Sequence, residues 1–109
     1  HGESFLALVN NRFGPNGLYI LDEPEAALSP ARQLSLLMRI RQLVDEGSQF
    51  IIATHSPILL AYPEATIYEL TQQGAHRTQY EETSHYTFTT DFLNNHQAYT
   101  RRLNDKFER

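Results

Sequence analysis

The apolar positions of this chain change their spacing several times, and each change marks an element. From Ser4 to Arg12, Phe5, Leu6, Leu8 and Val9 recur at helical intervals, and Gly14-Pro15-Asn16-Gly17 ends that segment. Leu18 to Leu21 is then a short unbroken apolar run, the pattern of a strand buried on both faces as in parallel sheets. Ser29-Pro30 reads as a helix start, with a hydroxyl to cap free amides and a proline where no donor is needed. Behind it Leu36, Leu37, Ile40, Leu43 and Val44 form one stripe, with Arg39, Arg41 and Gln42 off it, until Gly47. Phe50-Ile51-Ile52-Ala53 is a second buried run. Strand, amphipathic helix and strand predict a βαβ unit with parallel strands and a right-handed crossover.

The remainder is more broken. Ser56-Pro57 repeats the helix start and predicts a short helix to about Ala61. Ala65 to Leu70 reads as a strand, Gln72-Gln73-Gly74 as a turn, and Arg77 to Tyr80 as the antiparallel return. From about Thr89, Phe92, Leu93, Tyr99, Leu103 and Phe107 predict one or two terminal helices broken near Asn94-Asn95. The fold class is therefore α/β: parallel buried strands with a βαβ crossover, a terminal β-hairpin and C-terminal helices.

Composition narrows the function. With 109 residues, 40% hydrophobic and 20% charged, the chain is at most one small globular domain. A net charge of -4 argues against the chain itself being a nucleic-acid surface, which needs a basic face. Without cysteine there is neither a disulfide nor a thiolate metal site. No apolar run approaches the roughly 20 residues that span a bilayer, so no membrane insertion is expected. His1-Gly2-Glu3-Ser4 carries no initiator Met, basic segment or cleavage site, so it does not read as a secretion signal. The expected location is cytoplasmic, and the chain reads as starting inside a larger domain.

The chemistry concentrates where the two apolar runs end. Asp22 and Glu23 close the first, and open α/β sheets bind ligands at the carboxyl ends of their strands. An Asp so placed can support Mg²⁺ on nucleotide phosphates, and a second carboxylate can accept a proton from attacking water. Thr54-His55-Ser56 closes the second run, and parallel pairing would bring His55 to the same sheet end, where an imidazole could bond a phosphate or orient water. Pro24 and the Ser29-Pro30 start constrain the loop between. His76, His85 and His96 lack ligand spacing and read as solvated, while Tyr86, Phe88, Phe92 and Tyr99 read as packing residues.

Leu21-Asp22-Glu23-Pro24-Glu25-Ala26-Ala27-Leu28-Ser29, followed by Ile51-Ile52-Ala53-Thr54-His55-Ser56-Pro57, resembles the ATP-binding cassette (ABC) class of P-loop ATPases. Leu18 to Glu23 resembles the Walker B motif, Ala26 to Ser29 the D-loop and His55 the switch histidine. The wording is closer to the soluble RecF/SMC-like branch, AAA-type ATPases, than to transporter subunits, which carry Thr-Ser after the proline and Asp at the end of the D-loop. His1-Gly2-Glu3-Ser4 resembles the tail of the signature motif, in which Gly2 and Glu3 would face the γ-phosphate held by an opposite subunit.

The resemblance implies Asp22 as the metal residue, Glu23 and His55 as catalytic, and Gly2, Glu3 and Ser29 as nucleotide contacts. It also implies ATP and Mg²⁺ as cofactors and a head-to-tail homodimer, with a nucleic acid or a permease left open as partner. Residues 1–80 would be the C-terminal part of the ATPase domain and 81–109 its helical extension. No Gly-x-x-x-x-Gly-Lys-Ser/Thr occurs, so the phosphate loop and the glutamine loop belong to an N-terminal half, and the chain alone is expected to be inactive. Two alternatives are an ABC transporter's ATP-binding subunit and a non-catalytic dimerisation or interaction fragment.

Overall fold

A computed structural model describes the backbone of residues 2–107 and the side chains of residues 4–104. The chain is mixed α/β and divides into two compact units, residues 1–65 and 66–109.

In the first unit, α1 (Gly2–Arg12) precedes β1 (Leu18–Asp22), α2 (Pro30–Asp45) and β2 (Gln49–Ala53). The two strands pair in parallel, from Leu18 opposite Gln49 to Asp22 opposite Ala53, as the βαβ reading requires. Helix α2 starts at the anticipated cap: Ser29 Oγ accepts the Arg32 amide at 3.3 Å, with Pro30 as the first helical residue. Its stripe makes the core. Leu36 and Leu43 are fully buried and Ile40 nearly so, and Val9, Leu28 and Leu59 join Leu36 and Ile40 in one cluster. Val44, at the margin of the stripe, stays 38% exposed.

Arg39, off that stripe, has a structural task of its own. Its guanidinium donates to the carbonyls of Val9, Asn10 and Phe13, at 3.5, 3.4 and 3.2 Å. These are carbonyls at the C-terminal end of α1, where a cation also meets the negative end of the helix dipole. The loop after α1 is tied to the turn after α2. Ser48 Oγ donates to Gly14 O at 2.7 Å and accepts from Gly17 N at 3.0 Å, and Gln49 N donates to Gly17 O at 2.8 Å. Gly47 has φ 94°, a left-handed conformation that favours glycine, and a Cβ there would also displace the Asn16 side chain, whose Oδ1 lies 2.3 Å from its position.

Two expectations fail in this unit. β1 and β2 are buried on one face only. Tyr19, Leu21, Phe50 and Ile52 turn inward, with Tyr19 stacked on Phe13 at 4.0 Å and on Phe50 at 5.2 Å. Leu18, Ile20 and Ile51 on the other face are 59%, 71% and 52% exposed. Within this unit nothing among the described residues covers that face. The predicted helix after Ser56-Pro57 is also shorter than expected, reduced to a 3₁₀ turn at Leu59–Ala61. Ser56 Oγ nonetheless accepts the amides of Ile58 and Leu59, both at 3.1 Å.

The second unit holds the hairpin β3 (Ile67–Thr71) and β4 (Gly74–Thr78), followed by α3 (Ser84–Asn94) and α4 (His96–Phe107). The helix pair breaks at Asn95 as the pattern requires, but α3 begins earlier than the apolar spacing suggested. Tyr86 packs edge-on against Tyr80, and Phe88, Phe92 and Tyr99 contact one another, although Phe88 and Tyr99 remain 60% and 45% exposed. His76 and His96 are exposed and His85 half-buried.

Candidate active site

The parallel ladder fixes the geometry at the carboxyl end of the two strands. Asp22 is the last residue of β1, exposed and opposite Ala53. Glu23 continues the pairing by one bond, its amide donating to Ala53 O at 2.7 Å. Its own backbone then turns left-handed, with φ 48° and ψ 54°. A glutamate rarely adopts that conformation, which costs on the order of 1 kcal/mol and persists only where neighbouring structure enforces it. Here Glu23 is held on both sides: its amide is bonded to Ala53 O, and its carbonyl accepts Ala26 N at 3.1 Å in a 3₁₀ turn over Pro24–Ala27 that opens at the buried Pro24 and closes with Leu28 N on Glu25 O at 3.0 Å. The turn delivers Ser29 to the start of α2, where its hydroxyl caps the helix while remaining exposed.

On the neighbouring strand, Thr54 and His55 leave β2 directly after Ala53. Asp22, Glu23 and His55 therefore share one end of one sheet, as the strand reading anticipated. Gly2 and Glu3 belong to another element, the first turn of α1, which packs along α2. His1 and the side chain of Glu3, on which the signature reading also falls, lie outside the described residues.

A network the sequence did not disclose links the two strand ends. Glu25 Oε1 accepts the Thr54 hydroxyl at 2.6 Å, and Oε2 accepts the His55 amide at 2.9 Å. Partial burial alone would raise the Glu25 pKa; the hydrogen bonds from Thr54 and His55 outweigh it and hold the carboxyl below its ordinary value. Thr54 Oγ1 accepts in turn from Ser56 N at 2.9 Å. Buried Ser56 donates its hydroxyl to Gln33 Oε1, and Gln33 Nε2 reaches Leu28 O at 3.3 Å. The loop after β1, the start of α2 and the loop after β2 thus form one hydrogen-bonded block. The signal for Glu25 was present only as a departure: it stands where transporters of the resembled class carry threonine.

Among the described residues, no three His, Asp or Glu side chains converge as a metal cage. That donor set still suits Mg²⁺, which keeps several waters and is held by one or two carboxylates together with nucleotide phosphates. An exposed Asp22 ending a strand fits that role. The sequence has no phosphate cradle to match it.

Residues 5–61, just over half of the chain, match the family described as "AAA domain, putative AbiEii toxin, Type IV TA system". The chain belongs to this family. The match spans β1, the turn after it, α2, β2 and the His55 loop, so the block just described lies within the AAA domain. No curated protein and no solved structure matches the chain. Membership assigns a nucleotide-binding, ATPase-type domain, and AAA-type ATPases in general use ATP with Mg²⁺. Among the described residues no helix is long and apolar enough to cross a membrane.

Proposed function

We propose that the chain is the magnesium- and water-handling part of an ABC-type ATPase of the RecF/SMC-like branch, working as a head-to-tail dimer. The observation that carries this reading is the parallel register of β1 and β2, which sets Asp22 and Glu23 beside the Thr54-His55 loop at the carboxyl end of the sheet. In this reading Asp22 supports Mg²⁺, the Glu23 carboxylate takes a proton from the attacking water, and the His55 imidazole bonds the γ-phosphate. Ser29 ends the D-loop, and its place at the N-terminus of α2 suits an anion contact as well as a cap. Gly2 and Glu3 open a helix in the position of the signature. By this account residues 1–80 are the C-terminal part of the ATPase domain and 81–109 its helical extension.

Phosphate binding has to come from a Gly-rich loop outside this sequence. The 109-residue chain alone is expected to show no micromolar affinity for Mg-ATP by equilibrium titration. In the protein that also carries the phosphate loop, Glu23→Gln should keep Mg-ATP affinity and lower turnover by about 10²-fold or more, the size of a general-base contribution. Normal turnover of that variant would remove Glu23 from the mechanism. The family description also names a type IV toxin–antitoxin setting. That favours a toxin or defence role for the hydrolysis over transport, and growth arrest on expression, relieved by a partner gene, is its test.

A further inference from the structure

We propose that Glu25 is a positioning residue of this hydrolytic site, holding the turn that carries Glu23 to the loop that carries His55. The link itself stands on geometry, while its catalytic consequence rests on the ATPase reading above.

One carboxylate accepts from two successive residues of a distant segment, the Thr54 hydroxyl at 2.6 Å and the His55 amide at 2.9 Å. The arrangement is directional. Thr54 Oγ1 already accepts from Ser56 N at 2.9 Å, so its one proton is free to go to Glu25. An ionised carboxylate is the side chain that can accept both bonds with charge-assisted strength. A Gln there offers one acceptor and one donor, and its donor would face the Thr54 hydroxyl or the His55 amide. An Asp is one methylene shorter.

The two ends of this clamp are the residues of interest. Glu23 lies two positions before Glu25 in a left-handed conformation that needs support, and its amide already leans on Ala53 of the partner strand. His55 hands its own backbone amide to Glu25. Releasing the carboxylate would therefore free the His55 backbone and the turn at Glu23 together, while Asp22, fixed by the ladder, stays in place. Glu25 acts through backbone and a hydroxyl, so the expected signature is loss of turnover with nucleotide affinity retained.

The test uses the protein that carries both the phosphate loop and this chain. Glu25→Ala and Thr54→Val should each lower kcat by about tenfold or more, with KM for Mg-ATP changed by less than about twofold. Thr54→Ser, which keeps the hydroxyl, should stay within about twofold of the unsubstituted enzyme, and Glu25→Ala/Thr54→Val should lose clearly less than the product of the two single losses. Additive losses, a rise in KM at constant kcat, or unchanged kcat would overturn the proposal. Each variant is assayed below its own measured Tm, so that unfolding does not mimic the effect.

A second readout needs no turnover. In the ¹H–¹⁵N spectrum of the 109-residue chain, the His55 amide proton should lie downfield and move upfield in Glu25→Ala, with the amides of mid-α2 unmoved. An unmoved His55 amide would refute the link whatever the ATPase does. Normal turnover of Glu23→Gln would refute the ATPase assignment alone and leave the spectrum to decide the link.

Discussion

Glu23 and Glu25 are two residues apart, and the fold treats them in opposite ways. Glu23 is exposed at the sheet end on a left-handed backbone, whereas Glu25 is half-buried and bonded through both oxygens. The Glu25 pKa is lowered because the Thr54 and His55 bonds outweigh the opposing effect of burial. Its ionised form is thus favoured by folding, and that stability is complete above the ordinary glutamate value of about 4.3 and lost as pH falls through the lower folded value. Thermal unfolding followed by circular dichroism should show Tm dropping across this acid range, with a shallower drop in Glu25→Gln. An equal slope in both would mean that Glu25 gains nothing from its partners. The sequence disclosed Asp22, Glu23 and His55 because each stands at or just beyond the end of an apolar run, a feature of neighbours along the chain. Glu25, Gln33 and Ser56 were hidden because their partners lie 23 to 30 positions away and become neighbours only after β1 and β2 have paired.

At the scale of elements, the two helix starts separate what a local pattern can reveal from what it cannot. α2 was legible because Ser29-Pro30 precedes a clear apolar stripe. α3 starts at Ser84, ahead of the spacing that begins near Thr89, because its start is fixed by polar contacts. Thr83 Oγ1 accepts from Tyr86 N at 3.1 Å and donates to Tyr80 O at 2.7 Å, and Glu69 on β3 accepts from Ser84 N and Oγ at 2.7 and 2.8 Å. The Ser84 amide and hydroxyl hold the Glu69 carboxyl below its ordinary pKa. Thr83 is fully buried, whereas Ser29 is exposed. Thr83→Ala removes the cap and leaves a void at a fully buried position, although Tyr80 O keeps its bond from Thr83 N at 3.1 Å, so it should cost about 1–2 kcal/mol against about 0.5 kcal/mol for Ser29→Ala. Urea denaturation followed by far-ultraviolet circular dichroism measures both, and equal costs would contradict the burial argument.

For the molecule as a whole, the informative surface is the bare face of the β1–β2 sheet. The unbroken run Leu18 to Leu21 predicted burial on both sides, and the described residues of its own unit supply one side only. Parallel sheets are found almost exclusively with both faces covered. Within the proposed ATPase, the segment that brings the phosphate loop is the natural cover for Leu18, Ile20 and Ile51. That makes one substitution behave differently in two settings. In the 109-residue chain Ile20 is 71% exposed, so Ile20→Asp should change stability by about 1 kcal/mol or less, mostly through the lower strand preference of Asp. In the protein that carries both parts, the same carboxylate would be buried without a partner, at a cost of about 3 kcal/mol or more. Urea denaturation of the two proteins, each with and without the change, gives the comparison directly. A large gap means that the exposed face is the seam along which the ATPase is completed, whereas equal, small effects would mean that this face stays in water and that the phosphate loop joins the sheet elsewhere.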